Sequence, residues 1–99
     1  APSADAFGVF DVKKSLLLKE KLTPHPLSAF QSKLILKNDV GNGIPLSYIY
    51  CTKPVYKSLE ISRTVVSKMK WQIFELNAGH DAMLTHPKET LNLLMKICN

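Results

Sequence analysis

The chain has 99 residues, of which 45% are hydrophobic and 21% charged, a composition that predicts one small globular domain without low-complexity or repeat regions. Its apolar runs are much shorter than the roughly 20 residues that span a bilayer, and its first residues lack the basic and apolar regions of a secretory signal, so we expect a cytoplasmic protein with no membrane contact. The net charge of +5 comes from scattered lysines and Arg63, a pattern that predicts a solvated surface and no nucleic-acid partner.

The first predicted element is a helix over residues 12–21, with Asp11 as its N-cap. The sequence LTPHPLSAF, residues 22–30, ends this helix because each of its two prolines lacks a backbone N–H and disfavours helical geometry in the residue before it. Residues 26–30 are predicted to form a single turn. The Asn-, Asp- and Gly-rich residues 37–43 then indicate a loop.

Two apolar segments further along the chain are predicted to be strands. IPLSYIYCT, residues 44–52, is nearly continuous in β-branched and aromatic residues, which is typical of a strand covered on both faces. WQIFEL, residues 71–76, predicts a second strand. Between them we expect a helix over residues 59–69, with Ser58 as its cap.

The last predicted element is a helix that begins near Pro87, because proline is well tolerated in a first helical turn. Thr85 or His86 is expected to cap it. Four apolar residues lie at i, i+3, i+4 and i+7 and predict one buried face: Leu91, Leu94, Met95 and Cys98. Cys51 and Cys98 are expected to be reduced, small buried hydrophobes.

Strands that alternate with helices predict a mixed α/β fold with a parallel sheet. Two parallel strands do not form a stable sheet by themselves, and strands this apolar need neighbours on both edges. We therefore expect the sheet to be completed by an N-terminal part of the same domain or by another chain. Alone, the 99 residues are expected to be marginally stable or to self-associate.

His80 is the strongest candidate for a functional residue. It follows the predicted second strand by four residues, in the sequence NAGHDAMLTHP, and ligands of open parallel sheets bind beyond the carboxyl ends of the strands. Gly79 is expected to let the backbone turn sharply there. Imidazole titrates near neutral pH and can serve as a general base. His25 is expected to be a rigid loop residue, and the three histidines lack metal-ligand spacing, so no metal or cofactor is predicted.

Two stretches of the chain resemble the C-terminal end of α/β-hydrolase enzymes. IPLSYIYCTKP and WQIFELNAGHDAMLTHPKETLNLLMKI are similar to the last two strands, the histidine loop and the final helix of the plant methylesterase and hydroxynitrile lyase branch and its bacterial relatives. FGVFD and LTPHPLSAF resemble the cap region of the bacterial relatives. The resemblance implies that residues 1–43 are the end of a cap and a return linker, and that residues 44–99 are the last part of the core.

By this resemblance, His80 is the general base of a Ser-His-acid esterase that acts on a small ester-like substrate. The order of the triad in this fold places the serine before the acid and the histidine, and no G-x-S-x-G occurs in these 99 residues. The chain alone is therefore expected to hydrolyse nothing. Hydroxynitrile lyase chemistry, or a non-catalytic binding module with a degenerate triad, are the alternatives.

The acid of the triad is the second gap in the resemblance. Plant members of the branch carry an aspartate just after the strand that ends here in YIYCT, where this sequence has Lys53 and Pro54. Asp81 adjoins His80 and is expected to turn away from its ring, and Glu60 is expected to lie on a helix. Either the acid comes from an earlier strand, or the triad is degenerate.

Overall fold

A computed structural model describes residues 3–98. Outside the described residues lie Ala1 and Pro2, at the start of the predicted segment 1–43, and Asn99, at the end of the predicted segment 44–99. The elements follow the predicted order of helix, linker, strand, helix, strand, loop and helix. One short helix lies in the linker, and another lies in the loop before the last helix. In chain order they are α1 Val12–Lys21, α2 Leu27–Gln31, β1 Ser47–Cys51, α3 Glu60–Lys68, β2 Gln72–Leu76, α4 Ala82–Thr85 and α5 Pro87–Cys98. Two 3-10 turns, Asp5–Phe7 and Lys57–Leu59, precede α1 and α3.

Helix α1 begins and ends where the sequence predicts. The Asp11 carboxylate accepts a hydrogen bond from the backbone N–H of Lys14 at 2.9 Å, which satisfies one of the free donors in the first turn. The backbone is extended at Leu22, as expected for a chain that approaches Pro24. The predicted turn after the prolines forms the short helix α2, with Pro26 at its N-cap position.

The two strands pair in parallel, so the mixed α/β class is confirmed. Ser47 lies opposite Gln72, and Cys51 lies opposite Leu76. The connection between the strands contains α3, which begins one residue later than predicted. Ser58 does not cap it, and that prediction is wrong: Ser58 lies inside the preceding 3-10 turn, and Leu59 at the N-cap position makes no side-chain hydrogen bond.

A small apolar cluster joins the end of β2 to α4. Leu76, Ala78 and Ala82 are buried in it, and Ile49, Cys51 and Leu93 pack against them. Helix α5 thus contributes Leu93 to the cluster.

The face predicted to be buried in α5 points elsewhere. Leu91, Leu94 and Met95 are about half exposed and Cys98 is exposed, so the predictions of a buried face and of a buried Cys98 are wrong. The physical reason is a lack of neighbours, because within the described residues α5 packs on α4 and, through Leu93, on the cluster at the end of β2. Cys51, in contrast, is half-buried in β1.

The folded chain leaves much apolar surface in contact with solvent. Its accessible surface is 8136 Å², whereas a folded monomer of 11.1 kDa has about 5,700 Å². Its radius of gyration is 15.3 Å, against about 13 Å for a compact chain of this length. The excess is close to the area that an obligate interface buries. Within residues 3–98, β1 and β2 have no other strand beside them.

None of the helices within residues 3–98 combines the length and the apolar character needed to cross a membrane.

We expect the 99-residue chain to self-associate through its exposed apolar faces. Val65 of α3 is 46% exposed, and Val65→Lys should weaken self-association by about fivefold, which corresponds to roughly 1 kcal/mol for covering the rest of one valine side chain. Sedimentation equilibrium over a range of concentrations measures this. Ser67→Lys in the same helix adds the same charge without removing an apolar group, and is the control. A monomer with a sharp, concentration-independent thermal transition would contradict the expectation.

Candidate functional site

The loop that carries His80 continues the pairing of the two strands beyond their ends. Leu76 is the last residue of β2, and its carbonyl accepts a hydrogen bond from the Thr52 N–H at 3.0 Å. One step further, the Lys53 N–H donates to the Ala78 carbonyl at 3.0 Å. These bonds fix residues 77–79 at the carboxyl end of the sheet. His80 therefore stands at the sheet edge that the sequence indicated.

Gly79 is needed in this loop for a reason that the sequence did not reveal. Its φ is not in the left-handed region; instead, it packs against the backbone of Gly8. A Cβ atom on Gly79 would lie 2.9 Å from the Cα of Gly8 and 3.1 Å from the carbonyl oxygen of Phe7. Gly8 itself has a φ of +77°, which glycine adopts without steric cost. The turn before α1 thus packs directly on the histidine loop.

Two aromatic rings contact the His80 imidazole. Its centroid lies 5.0 Å from the ring of Phe7 and 4.8 Å from that of Tyr56, both in tilted geometry. Phe7 and Tyr56 also contact each other, at 5.5 Å. The His80 side chain keeps 33% of its surface exposed. The ring is therefore held by its neighbours while part of it faces solvent.

Asp81 turns toward His80, and the expectation that it would diverge is wrong. His80 Nδ1 lies 2.7 Å from Asp81 Oδ1, and the Asp81 side chain is only 15% exposed. The cause is the backbone of Asp81, whose φ of −93° and ψ of 48° bring the two neighbouring side chains together. An imidazole held by a carboxylate at Nδ1 leaves Nε2 as the proton acceptor.

A cleft of about 250 Å³ lies beside the ring. It is lined by Tyr48, Ile49, Tyr50, Cys51, Tyr56, Leu59, Glu60 and His80. Side chains of successive strand residues point to opposite faces, so a cleft that touches four successive residues of β1 runs along the edge of that strand. His80 and Tyr56 belong to the lining of this groove.

Glu60 lines the same cleft but is engaged with other residues. Its Oε1 accepts a hydrogen bond from the Tyr50 hydroxyl at 2.9 Å, and its Oε2 lies 3.7 Å from Arg63 Nε. The hydrogen bond to Glu60 is the main cause that raises the pKa of Tyr50, with desolvation second. The Arg63 guanidinium lies 4.9 Å from the centre of the Tyr50 ring. Glu60 is thus a partner of Tyr50, and Asp81 is the carboxylate that holds His80.

The other two histidines lie in different surroundings. The His25 ring lies 4.6 Å from the Phe30 ring in a tilted contact, in an exposed part of the chain. His86 Nδ1 lies 2.8 Å from Thr85 Oγ1, next to the start of α5. Across residues 3–98, no three or more His, Cys, Asp and Glu side chains converge in a way that could hold a metal ion.

Phe7, Gly8 and Tyr56 are the site residues that sequence reasoning missed. Phe7 and Gly8 lie more than 70 residues before His80 in the chain, and no local pattern indicates such a contact.

No family model, curated protein or solved structure matches the chain. The resemblance to hydrolases therefore rests on the quoted residues alone.

We expect the two cysteines to differ in reactivity. Burial raises the pKa of the Cys51 thiol, so less thiolate is present there at a given pH, and the thiolate is the nucleophile. Cys98 is exposed and should react first with a maleimide at pH 7.5, while Cys51 should gain reactivity only as the pH rises. Mass spectrometry of timed samples measures both, with Cys98→Ser and Cys51→Ser as reciprocal controls. Faster labelling of Cys51 would contradict the structure.

The contact between Asp81 and His80 predicts which nitrogen of the neutral imidazole carries the proton. A carboxylate accepts from N–H, so the Nδ1–H tautomer should dominate, as ¹⁵N NMR of the ring can show. Asp81→Asn should lower the ratio of the Nδ1–H to the Nε2–H tautomer by about tenfold, as expected for the loss of one charge-assisted hydrogen bond. Asp39→Asn, in an exposed loop, is the control. Equal ratios in both variants would refute the contact.

Proposed function

We propose that this chain is the C-terminal part of an α/β-hydrolase fold, and that His80 is the general base of an esterase-type Ser-His-acid reaction. One observation carries the proposal. The His80 ring lies at the carboxyl end of two parallel strands, its Nδ1 is 2.7 Å from Asp81 Oδ1, and its Nε2 makes no hydrogen bond to any of residues 3–98. This is the arrangement of a base held by an orienting acid.

The chemistry assigned to these two residues is proton transfer. When a serine attacks an ester carbonyl, its Oγ proton moves to His80 Nε2, and the resulting imidazolium is stabilised by the Asp81 carboxylate. The same proton then passes to the departing alcohol. The serine and the donors for the oxyanion come from outside these 99 residues, because no G-x-S-x-G occurs in them.

The exposed edge of β1 supports the proposal that a partner completes the sheet. The groove along Tyr48–Cys51 follows the strand edge that β2 leaves free, and a neighbouring strand would satisfy its backbone groups. The apolar residues Ile61 and Val65 of α3, and Met69 just after it, are exposed and would be covered as well. We propose that an N-terminal part of the same domain, or another chain, supplies these neighbours.

The turn before α1 supports the proposed division into a cap segment, residues 1–43, and a core segment, residues 44–99. Phe7 and Gly8 belong to the first segment and pack on the His80 loop of the second. These contacts would place the first segment beside the site, while the His80 side chain keeps 33% of its surface exposed. A substrate would then reach His80 through the cleft lined by Ile49, Tyr56 and Glu60 among others, which favours a small ester.

Ester hydrolysis by the complete gene product tests the proposal. With p-nitrophenyl acetate and butyrate as substrates, His80→Ala should lower kcat/KM by at least about 10³-fold, because the general base of a triad is removed. His25→Ala removes an imidazole remote from the site and should leave turnover unchanged. The isolated 99 residues should show no more turnover than the His80→Ala variant of the complete gene product.

Two outcomes would contradict the proposal. Turnover by the isolated 99 residues that His80→Ala abolishes would show that no outside nucleophile is needed. A complete gene product whose activity toward a panel of esters does not depend on His80 would rule out His80 as the base, and one without activity toward any of the esters would favour the binding module.

A further inference from the structure

We propose that Phe7 is a positioning residue for His80, acting through both its carbonyl oxygen and its ring. The inference rests on the proposed role of His80 as a base. It concerns a residue outside the histidine loop and outside the strands that carry the loop. Three contacts of the turn Asp5–Phe7 and the glycine after it lead to this assignment.

The first contact is the packing of two backbones. Gly8 and Gly79 are both buried, and a Cβ on either one would lie 2.9 Å from the Cα of the other. The pyrrolidine ring of Pro54 closes the same contact, 3.1 Å from the ideal Cβ position of Gly8. Val9, the next residue, is fully buried. Because this contact has no side chain that can bend away, it fixes the turn against the histidine loop.

The second contact sets the direction of Asp81. The Asp81 N–H donates a hydrogen bond to the Phe7 carbonyl at 3.2 Å. Asp81 occupies the N-cap position of α4, where an aspartate usually accepts from a backbone N–H one turn ahead. Here its side chain makes no capping bond and reaches His80 instead. The Phe7 carbonyl holds the Asp81 backbone in the conformation in which the Asp81 side chain contacts His80 rather than capping α4.

The third contact restrains the imidazole. The Phe7 ring lies 5.0 Å from the His80 ring at an interplanar angle of 31°, and it is itself supported by Tyr56. Rotation of the His80 ring about χ2 would have to displace Phe7 or Tyr56. Phe7 thus holds the base, and its carbonyl holds the acid, so that Nδ1 and the carboxylate stay together and Nε2 is left for the substrate.

Variants of Phe7 in the complete gene product test this assignment, with ¹⁵N-labelled histidine and ester hydrolysis measured on the same samples. Phe7→Ala should lower the Nδ1–H to Nε2–H ratio of His80 by about three- to tenfold, the effect of losing an aromatic contact. It should lower kcat by a similar factor with little change in KM. Phe7→Tyr keeps the ring and should restore both values. Phe30→Ala removes the ring that contacts His25 and is the matched control.

Contacts in the unmodified protein keep the test decisive if Phe7→Ala does not fold. Nuclear Overhauser effects between the ring protons of Phe7 and His80 are expected, and their absence would overturn the assignment. So would a Phe7→Ala or Phe7→Leu protein with unchanged tautomer ratio and kcat. A tautomer shift in a protein without esterase activity would leave the positioning role intact and refute the proposed function, so the two failures are distinguishable.

Discussion

The parallel pairing of β1 and β2 is the interaction on which the rest of this structure depends. It aligns Cys51 with Leu76, and the bonds from Thr52 and Lys53 extend the pairing into the loop. Without this alignment, the segment after β1 and the loop after β2 would not meet, and His80 would have no fixed place. The small cluster around Leu76 and Ala78 then stabilises the same end of the sheet. The strand pairing and this cluster therefore hold the loop at the end of the sheet, and the contact between Gly8 and Gly79 holds it from the first segment of the chain.

The same pairing also shows what the chain lacks. Each strand of this two-stranded sheet has one edge without a neighbouring strand within the described residues. The apolar sides of α3 and α5 remain exposed beside the sheet. The accessible surface exceeds that of a compact monomer by about 2,400 Å² by the scaling with mass. Exposed apolar side chains lie on α3 and α5, and also on α1, α2 and the segment around Leu34 and Ile35. This surface is available to a partner, whether the rest of a larger domain or another chain.

Local signals in the sequence predicted the elements well. The Asp11 cap, the prolines after α1 and the apolar runs of the strands located these elements to within a few residues, because each effect acts over neighbouring positions. The buried side of α5 could not be predicted in this way. Its apolar residues occupy more than one side of the helix, and only the elements that pack against the helix decide that Leu93 rather than Leu94 is covered.

The residues of the site also differ in whether nearby or distant parts of the sequence determine their positions. The position of His80 at the end of β2 was predictable because a loop that follows a strand is a local feature, whereas Phe7 and Tyr56 reach it through the fold. The direction of Asp81 was predicted wrongly for the same reason, since it depends on a hydrogen bond to the Phe7 carbonyl far away in the chain. The expected covering of the first strand on both faces was wrong, since β1 contains no buried residue and has only one neighbouring strand within the described residues.

Asp81 offers a physical answer to the missing acid at Lys53 and Pro54. An acid on a separate strand must be aligned with the base by the packing of two elements. An acid adjacent to the base is aligned by the backbone of one residue, and it stays aligned only while that backbone is held. In this structure the Phe7 carbonyl and the contact between Gly8 and Gly79 do the holding, while Pro54 packs against both glycines. Pro54 stands where the resemblance implies an acid, and in this structure it supports the loop in which Asp81 contacts His80.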